Sequence, residues 1–186
     1  MKRIFDFLGA LSALVVLFVP MLLVALIVKT TSNGPTLHWS DRVGRANKIF
    51  KMPKFRTMRV DTPPMATHLM TEPERFLTPI GGLLRKTSLD ELPQLISILC
   101  GNMSFVGPRP ALFNQEDLIA LRTAKGVQNI VPGLTGWAQV NGRDDLPVLV
   151  KVDYDEYYLH HRSFIFDLKI LAMTASQAIR GKGVQH

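Results

Sequence analysis

Two adjacent carboxylates in Ser88-Leu89-Asp90-Glu91-Leu92-Pro93-Gln94, and an arginine held between prolines in Gly107-Pro108-Arg109-Pro110, are the residues here whose types and spacing suit chemistry. An ionised aspartate attacks phosphorus once a divalent cation screens the repulsion between the two anions. Mg²⁺ suits that task, because it takes oxygen ligands and commonly binds through one or two carboxylates plus substrate phosphates. Asp90 is therefore the candidate nucleophile, and Asp90 and Glu91 together are the candidate metal ligands. The flanking prolines restrict the backbone on either side of Arg109, which presents a guanidinium for bidentate pairing with phosphate. Each motif also has a structural reading. Ser88-x-x-Glu91 matches a helix capping box, and Arg109 matches a surface arginine in a proline turn.

Further cations stand near these motifs in sequence. Lys54, Arg56 and Arg59 form a basic cluster that reads either as a phosphate site or as a solvated charge row. Arg85 and Lys86 precede the acid pair and suit neutralising it or holding a diphosphate. Asn141-Gly142-Arg143 reads first as a tight turn, with Arg143 a weaker phosphate candidate, and Asp153 and Asp155 read first as solvated charges.

The elements that must position these groups follow from composition and patterning. At 186 residues, the chain supports one domain of ordinary size. Lys and Arg number 22 against 15 acids, a net charge of +7 that favours anionic partners. Aromatic content of 8% without an arginine-rich run gives no support to nucleic acid, which leaves lipid and phosphorylated substrates. Cys100 is the single cysteine, which excludes an intrachain disulfide, and its apolar neighbours predict burial. The five histidines have no metal-ligand spacing.

Phe7 to Val28 is an uncharged run of 22 residues, about 33 Å long as a helix and enough to cross a hydrocarbon core of roughly 30 Å. It is too long for a cleaved signal, and no small-x-small site follows it. A spanning helix and a re-entrant helix both remain open. Pro20 removes a helical hydrogen bond within the run. Lys2 and Arg3 before it, and Lys29, Arg42, Arg45 and Lys48 after it, favour keeping both flanks on the cytosolic side. Beyond the turn at residues 31–35, Ile49–Met58 predicts a strand or hairpin, and 61–79, with four prolines, a surface loop. Leu89–Cys100 predicts a short buried helix, Gln115–Ala124 an amphipathic one, and Val131–Arg143 an irregular loop. Asp153–His161 predicts an interface segment carrying three tyrosines, and Asp167–Ile179 a helix.

Taken in order, these blocks resemble a known family: Lys2-Arg3, Asp6 and Gly9 ahead of an apolar run with Pro20; Lys54-Phe55-Arg56-Thr57-Met58; the Asp90-Glu91 block; Gly101 to Pro110; Pro132-Gly133-Leu134-Thr135-Gly136-Trp137-Ala138-Gln139-Val140-Asn141-Gly142-Arg143; and Tyr154-Asp155-x-x-Tyr158. The chain is similar to the bacterial sugar transferases that are small monotopic phosphoglycosyl transferases. The resemblance implies an α+β, predominantly helical monotopic membrane protein. Residues 1–30 would form a re-entrant helix broken at Pro20, and 31–186 a compact cytosolic catalytic domain with interfacial amphipathic helices. It implies transfer of a sugar 1-phosphate from a UDP-sugar to undecaprenyl phosphate, at the cytoplasmic face of a bacterial inner membrane. Asp90 would carry a covalent intermediate, Glu91 would support Mg²⁺ or proton handling, and Arg109 would hold phosphate. Arg85, Lys54, Arg56, Arg143 and Asp155 are further binding candidates. Polyprenol phosphate, membrane lipid and downstream glycosyltransferases are the implied partners. Two departures from the family pattern stand out. Val19 precedes Pro20 where serine is common, and Pro53 precedes Lys54. The length suggests a minimal catalytic unit without the additional transmembrane helices of larger relatives. The competing readings are a non-catalytic membrane adaptor gripping anionic lipid, and a single-pass anchor displaying its domain outside the cytosol.

Overall fold

The computed structural model of the chain describes residues 2–63, 72–142 and 146–180. Its longest element is α1 (Lys2–Thr31), which contains Pro20. The interruption expected at Pro20 is not formed, and the helix is continuous through it. The reason lies in what flanks the proline. Leu17 and Met21 both pack against the body of the protein, while Pro20 itself faces outward. The missing amide donor therefore costs one hydrogen bond on the exposed side, in turns held by packing on the other.

One stripe of α1 is buried along its whole length. Asp6, Ala10, Val24 and Val28 are inaccessible, with Ala13, Leu14, Leu17 and Ala25 packed beside them at helical spacing. The opposite face exposes Val15, Val16, Phe18, Val19, Leu22 and Leu23. Both ends of the helix are attached to the rest of the chain. Lys2 Nζ donates to the Val106 carbonyl at 3.0 Å and to the Tyr158 hydroxyl at 3.1 Å, and it pairs with Asp167. Arg3 donates to the carbonyls of Ile98 and Leu99. The buried Asp6 carboxylate accepts from Ser104 Oγ and the Phe105 amide, each at 3.1 Å. At the far end, Val24 and Val28 pack with Phe55 and Leu84. A helix of about 45 Å therefore lies along the protein instead of projecting from it.

β1 (Leu37–Val43) and β2 (Ile49–Phe55) form an antiparallel hairpin in which His38 faces Lys54 and Ser40 faces Met52. The ladder passes through Pro53, since a two-stranded ribbon leaves one edge where no amide donor is needed. α2 (Gly81–Thr87) leads into the acid pair. The single helix expected over Leu89–Cys100 is divided into a 3-10 turn (Leu89–Glu91) and α3 (Gln94–Cys100). Ser88 has φ 57°, in the left-handed region, and its side chain makes no cap, so the capping-box reading does not hold. Cys100 ends α3 exposed rather than buried.

β3 (Ser104–Val106) is followed by α4 (Glu116–Ala124), β4 (Gly133–Thr135), α5 (Trp137–Val140), α6 (Val148–His161) and α7 (Phe164–Arg180). The stretch expected to be irregular thus holds a strand and a short helix. β4 pairs parallel with β3, Ser104 opposite Gly133 and Val106 opposite Thr135. Of the three tyrosines assigned to an interface, Tyr158 lies in the core with Val106, Ile130, Val140 and Ile170. The observed class is α+β and predominantly helical.

Candidate active site

The acid pair is oriented by the leucines around it. Leu89 and Leu92 pack into the cluster formed by Val24, Val28, Phe55 and Leu84. The turn between them carries Asp90 and Glu91 toward β2 and the proline-flanked arginine. The residues flanking the carboxylates therefore pack against the C-terminal half of the apolar helix.

Glu91 is clamped. Its Oε1 accepts from Lys54 Nζ at 2.7 Å and from Arg109 Nη2 at 3.1 Å. Burial opposes its charge, but the Lys54 and Arg109 cations and their hydrogen bonds outweigh that and hold Glu91 well below the usual carboxylate range. Asp90 is 7% exposed. Burial pushes its pKa up to about 6; Lys54, Arg85 and Arg109 pull it down, and Glu91 pushes it further up. Two neighbouring carboxylates are thus split into a permanently ionised one and one that titrates near neutrality. Arg85, at the end of α2, is fixed through Nε to Thr57 Oγ1 at 3.0 Å. Its own pKa is lowered by burial and supported by Asp90.

Arg109 is held by the backbone on which it stands. Pro108 and Pro110 bring no amide donors, but their carbonyls are bonded. The Gly133 amide donates to Pro108 O at 2.9 Å, and Arg42 Nη1 to Pro110 O at 3.2 Å. The Gly107 amide returns a bond to Thr135 O at 2.9 Å. This close approach of two loops requires glycine, because a Cβ on Gly136 would lie 2.1 Å from Gly107 O.

The structure thus brings Asp90, Glu91, Lys54, Arg85 and Arg109 together. Arg56 lies at the edge, its Nε bonded to Pro35 O at 2.8 Å where the chain leaves α1. Arg143 falls outside the described residues. Asp155 does not join the cluster. It is 1% exposed, and its Oδ2 takes two bonds from Arg122, at 2.9 and 2.6 Å. Sequence reasoning missed two groups. Arg122 reads as one polar residue of an amphipathic helix. His38 carried no ligand spacing, yet it stands opposite Lys54, and burial with Arg56, Lys54 and Arg42 lowers its pKa.

Among the described residues no group of three or more metal-type side chains exists. Asp90 and Glu91 carry the kind of oxygen ligands that a Mg²⁺ ion would take beside substrate phosphates and water, although Lys54 and Arg109 already bond Glu91 Oε1.

The sequence profile of the bacterial sugar transferases matches residues 1–181. The chain is 38% identical over 185 residues to the uncharacterised sugar transferase EpsL of Bacillus subtilis (strain 168), spanning all of this chain and 90% of that protein. It is 37% identical over 199 residues to the exopolysaccharide production protein PSS of Rhizobium leguminosarum bv. phaseoli, covering 98% of each. It is also 37% identical over 189 residues to the UDP-glucose:undecaprenyl-phosphate glucose-1-phosphate transferase of Escherichia coli (strain K12), covering 98% of this chain but 41% of that one. Matched along nearly its whole length, the chain belongs to the bacterial sugar transferase family.

Proposed function

We propose that the protein transfers a sugar 1-phosphate from a UDP-sugar to undecaprenyl phosphate, releasing UMP, at the cytoplasmic face of the membrane. The observation that carries this reading is the split acid pair. Asp90 is buried and titrates near 6, beside a Glu91 locked in charge by Lys54 and Arg109. A group that is largely ionised at neutral pH yet poorly solvated is a stronger nucleophile than a hydrated carboxylate.

In the first half-reaction an Asp90 oxygen bonds to the β-phosphorus of the donor as the bond from that phosphorus to the bridging oxygen breaks. The electron pair leaves with UMP, and the sugar phosphate stays on Asp90 as an acyl phosphate. In the second half-reaction, a phosphate oxygen of the lipid attacks the same phosphorus. Asp90 leaves as the carboxylate, and the product is a polyprenyl diphosphate sugar. Arg109, Arg85 and Lys54 surround the phosphates and stabilise charge developing on their oxygens. A Mg²⁺ ion would be held by Asp90 and Glu91 together with the substrate, and would supply further charge neutralisation. Arg56 and Arg143 are proposed as outer phosphate contacts. Glycosyltransferases that extend the lipid-linked sugar would consume the product.

The placement of α1 supports a monotopic arrangement. Both of its ends bond to the same body, so its exposed apolar face enters lipid while Lys2 and Lys29 remain on one side. The acid pair beside that helix then meets a phosphate whose tail lies in the membrane. The identity of the E. coli relative favours an undecaprenyl phosphate acceptor and a UDP-sugar donor.

The test is UMP release from a panel of UDP-hexoses and UDP-N-acetylhexosamines with undecaprenyl phosphate and Mg²⁺. Wild type releases UMP with at least one donor, and Asp90→Asn releases none. Full activity in Asp90→Asn would remove the nucleophile assignment. A folded wild type inert with every donor and acceptor would instead leave the adaptor reading, which treats Asp90 and Glu91 as dispensable.

A further inference from the structure

The three carbonyls of Pro108, Arg109 and Pro110 are each bonded from a different element. β4 holds the first through the Gly133 amide and β1 holds the third through Arg42. The middle one, on the residue whose side chain reaches Glu91, accepts from Arg122 Nη1 at 2.8 Å. Arg122 comes from α4 and is 8% exposed. Its other two nitrogens are committed to one oxygen of Asp155, on α6, through Nε at 2.9 Å and Nη2 at 2.6 Å. Asp155 is 1% exposed, so the pair is anchored in the interior.

We propose that Arg122 and Asp155 are positioning residues. Together they form a strut that fixes the backbone of Arg109, and so sets where its guanidinium meets Glu91 and the substrate phosphates. The inference rests on the phosphoglycosyl transferase reading for what Arg109 does, and on the hydrogen-bond geometry alone for how Arg109 is held.

The geometry explains why an arginine is needed. A guanidinium has donors on three nitrogens in one rigid plane, so it can bind a carboxylate with two and a carbonyl with the third. Asp155 orients that plane by holding two of the nitrogens, which leaves Nη1 directed at the Arg109 carbonyl. A lysine has one nitrogen on a flexible stem, so it would bind a carboxylate and a carbonyl without the rigid plane that fixes one relative to the other. The two prolines make the strut effective. Neither offers an amide donor and both have restricted φ, so the position of Arg109 is set by what binds its neighbours' carbonyls and its own. The chain from α6 to the acid pair is then continuous: Asp155, Arg122, the Arg109 carbonyl, the Arg109 guanidinium, Glu91, Lys54.

The strut differs in its consequences from a buried ion pair that only stabilises the fold. If Arg122 acts through Arg109, its loss matters only while Arg109 is present. The experiment is a double-mutant cycle on UMP release with Arg122→Met, Arg109→Met and both, in detergent-solubilised full-length protein. Arg122→Met is expected to lower kcat by about tenfold to a hundredfold, the scale of a misplaced catalytic group, while costing nothing further in the Arg109→Met background. Arg122→Lys, which keeps the charge beside Asp155, should lose nearly as much.

Removing one member of a buried pair strands the other, so Arg122→Met risks misfolding. The Arg122→Met/Asp155→Leu variant removes both charges and preserves packing. It should fold and show the same loss as Arg122→Met. A second readout needs no turnover. In ¹⁵N-arginine-labelled protein, the Arg109 Nη signals, sharpened by hindered rotation in the wild type, should broaden in the Arg122→Met/Asp155→Leu variant.

Losses that multiply in the cycle would overturn the proposal, as would full kcat with unchanged Arg109 signals in the double variant. If no UDP-sugar is turned over by wild type but the Arg109 signals collapse when the strut is removed, the strut stands and the reaction assignment falls.

Discussion

Burying the Asp90 carboxylate carries a cost in stability. Its pKa is raised from 3.8 to about 6, chiefly by burial. Between those values the folded state keeps a proton that the unfolded chain has released. The stability this group contributes is therefore full below pH 3.8 and lost as pH rises through 6. Asp90→Asn removes the ionisation cost, so it should raise unfolding free energy by about 3 kcal/mol at pH 8 and by little near pH 4, measured by denaturant titration at both. No gain at pH 8 would mean that Asp90 is not strained by burial. Activity runs the opposite way. The attacking form is ionised, so kcat/KM for UMP release should climb with pH, tenfold per unit well below 6, and level off above it. Glu91 stays charged throughout that range and adds no second limb. The acid pair, Lys54, Arg85 and Arg109 were legible in the sequence because their chemistry is written in residue type and short spacing. Arg122 was not. Its partner Asp155 is 33 positions away, and an arginine on an amphipathic helix gives no cue to what it touches.

At the scale of elements, legibility followed period. α4 and α7 showed helical repeats and were found to within a residue or a turn of their observed ends. β4 has three residues and α5 four, too short to carry any period, and both were read as loop. The division of the Leu89–Cys100 helix was hidden for a different reason. It falls at Leu92 and Pro93, whose backbones both stay right-handed, where Pro93 brings no amide to continue the ladder. Yet these unpredicted pieces carry the site. β4 and its glycines hold the Gly107–Pro110 loop, so the loop is sensitive to a single methyl group. Gly136 is extended, with φ −171°, so alanine fits its backbone but not its surroundings. With a Cβ 2.1 Å from Gly107 O, Gly136→Ala should destabilise the fold by about 1–3 kcal/mol and lower UMP release through Arg109. A thermal melt beside an activity assay would register both; unchanged melting would mean the two loops do not touch.

For the molecule as a whole, the long apolar helix is also a wall of the body that carries the site. Composition revealed the apolar run, and its basic flanks suggested that both ends share one side. Sequence could not reveal the continuous buried stripe, because nearly every position in the run is apolar and no pattern separates the packed face from the lipid face. The arrangement predicts the labelling of introduced cysteines. In a Cys100→Ser background, Lys2→Cys and Ser32→Cys should both react with a membrane-impermeant maleimide in inside-out vesicles, and neither in intact cells. Reaction of one from each side would establish a spanning helix.

The attachment of Lys2 to Asp167, 165 positions later, also bears on how the protein is made. α1 is made before the elements that pack against it, and in the monotopic arrangement proposed above it would enter lipid before they exist. Its first turn is completed only when α7 arrives. Contacts of such separation form slowly, so in that arrangement the nascent body would assemble on a helix already in lipid, with the Lys2 site open until α7 docks. A chain halted after α6 would then remain bound to the membrane but lack this closure, and should be cleaved by protease within the core that the full-length protein protects.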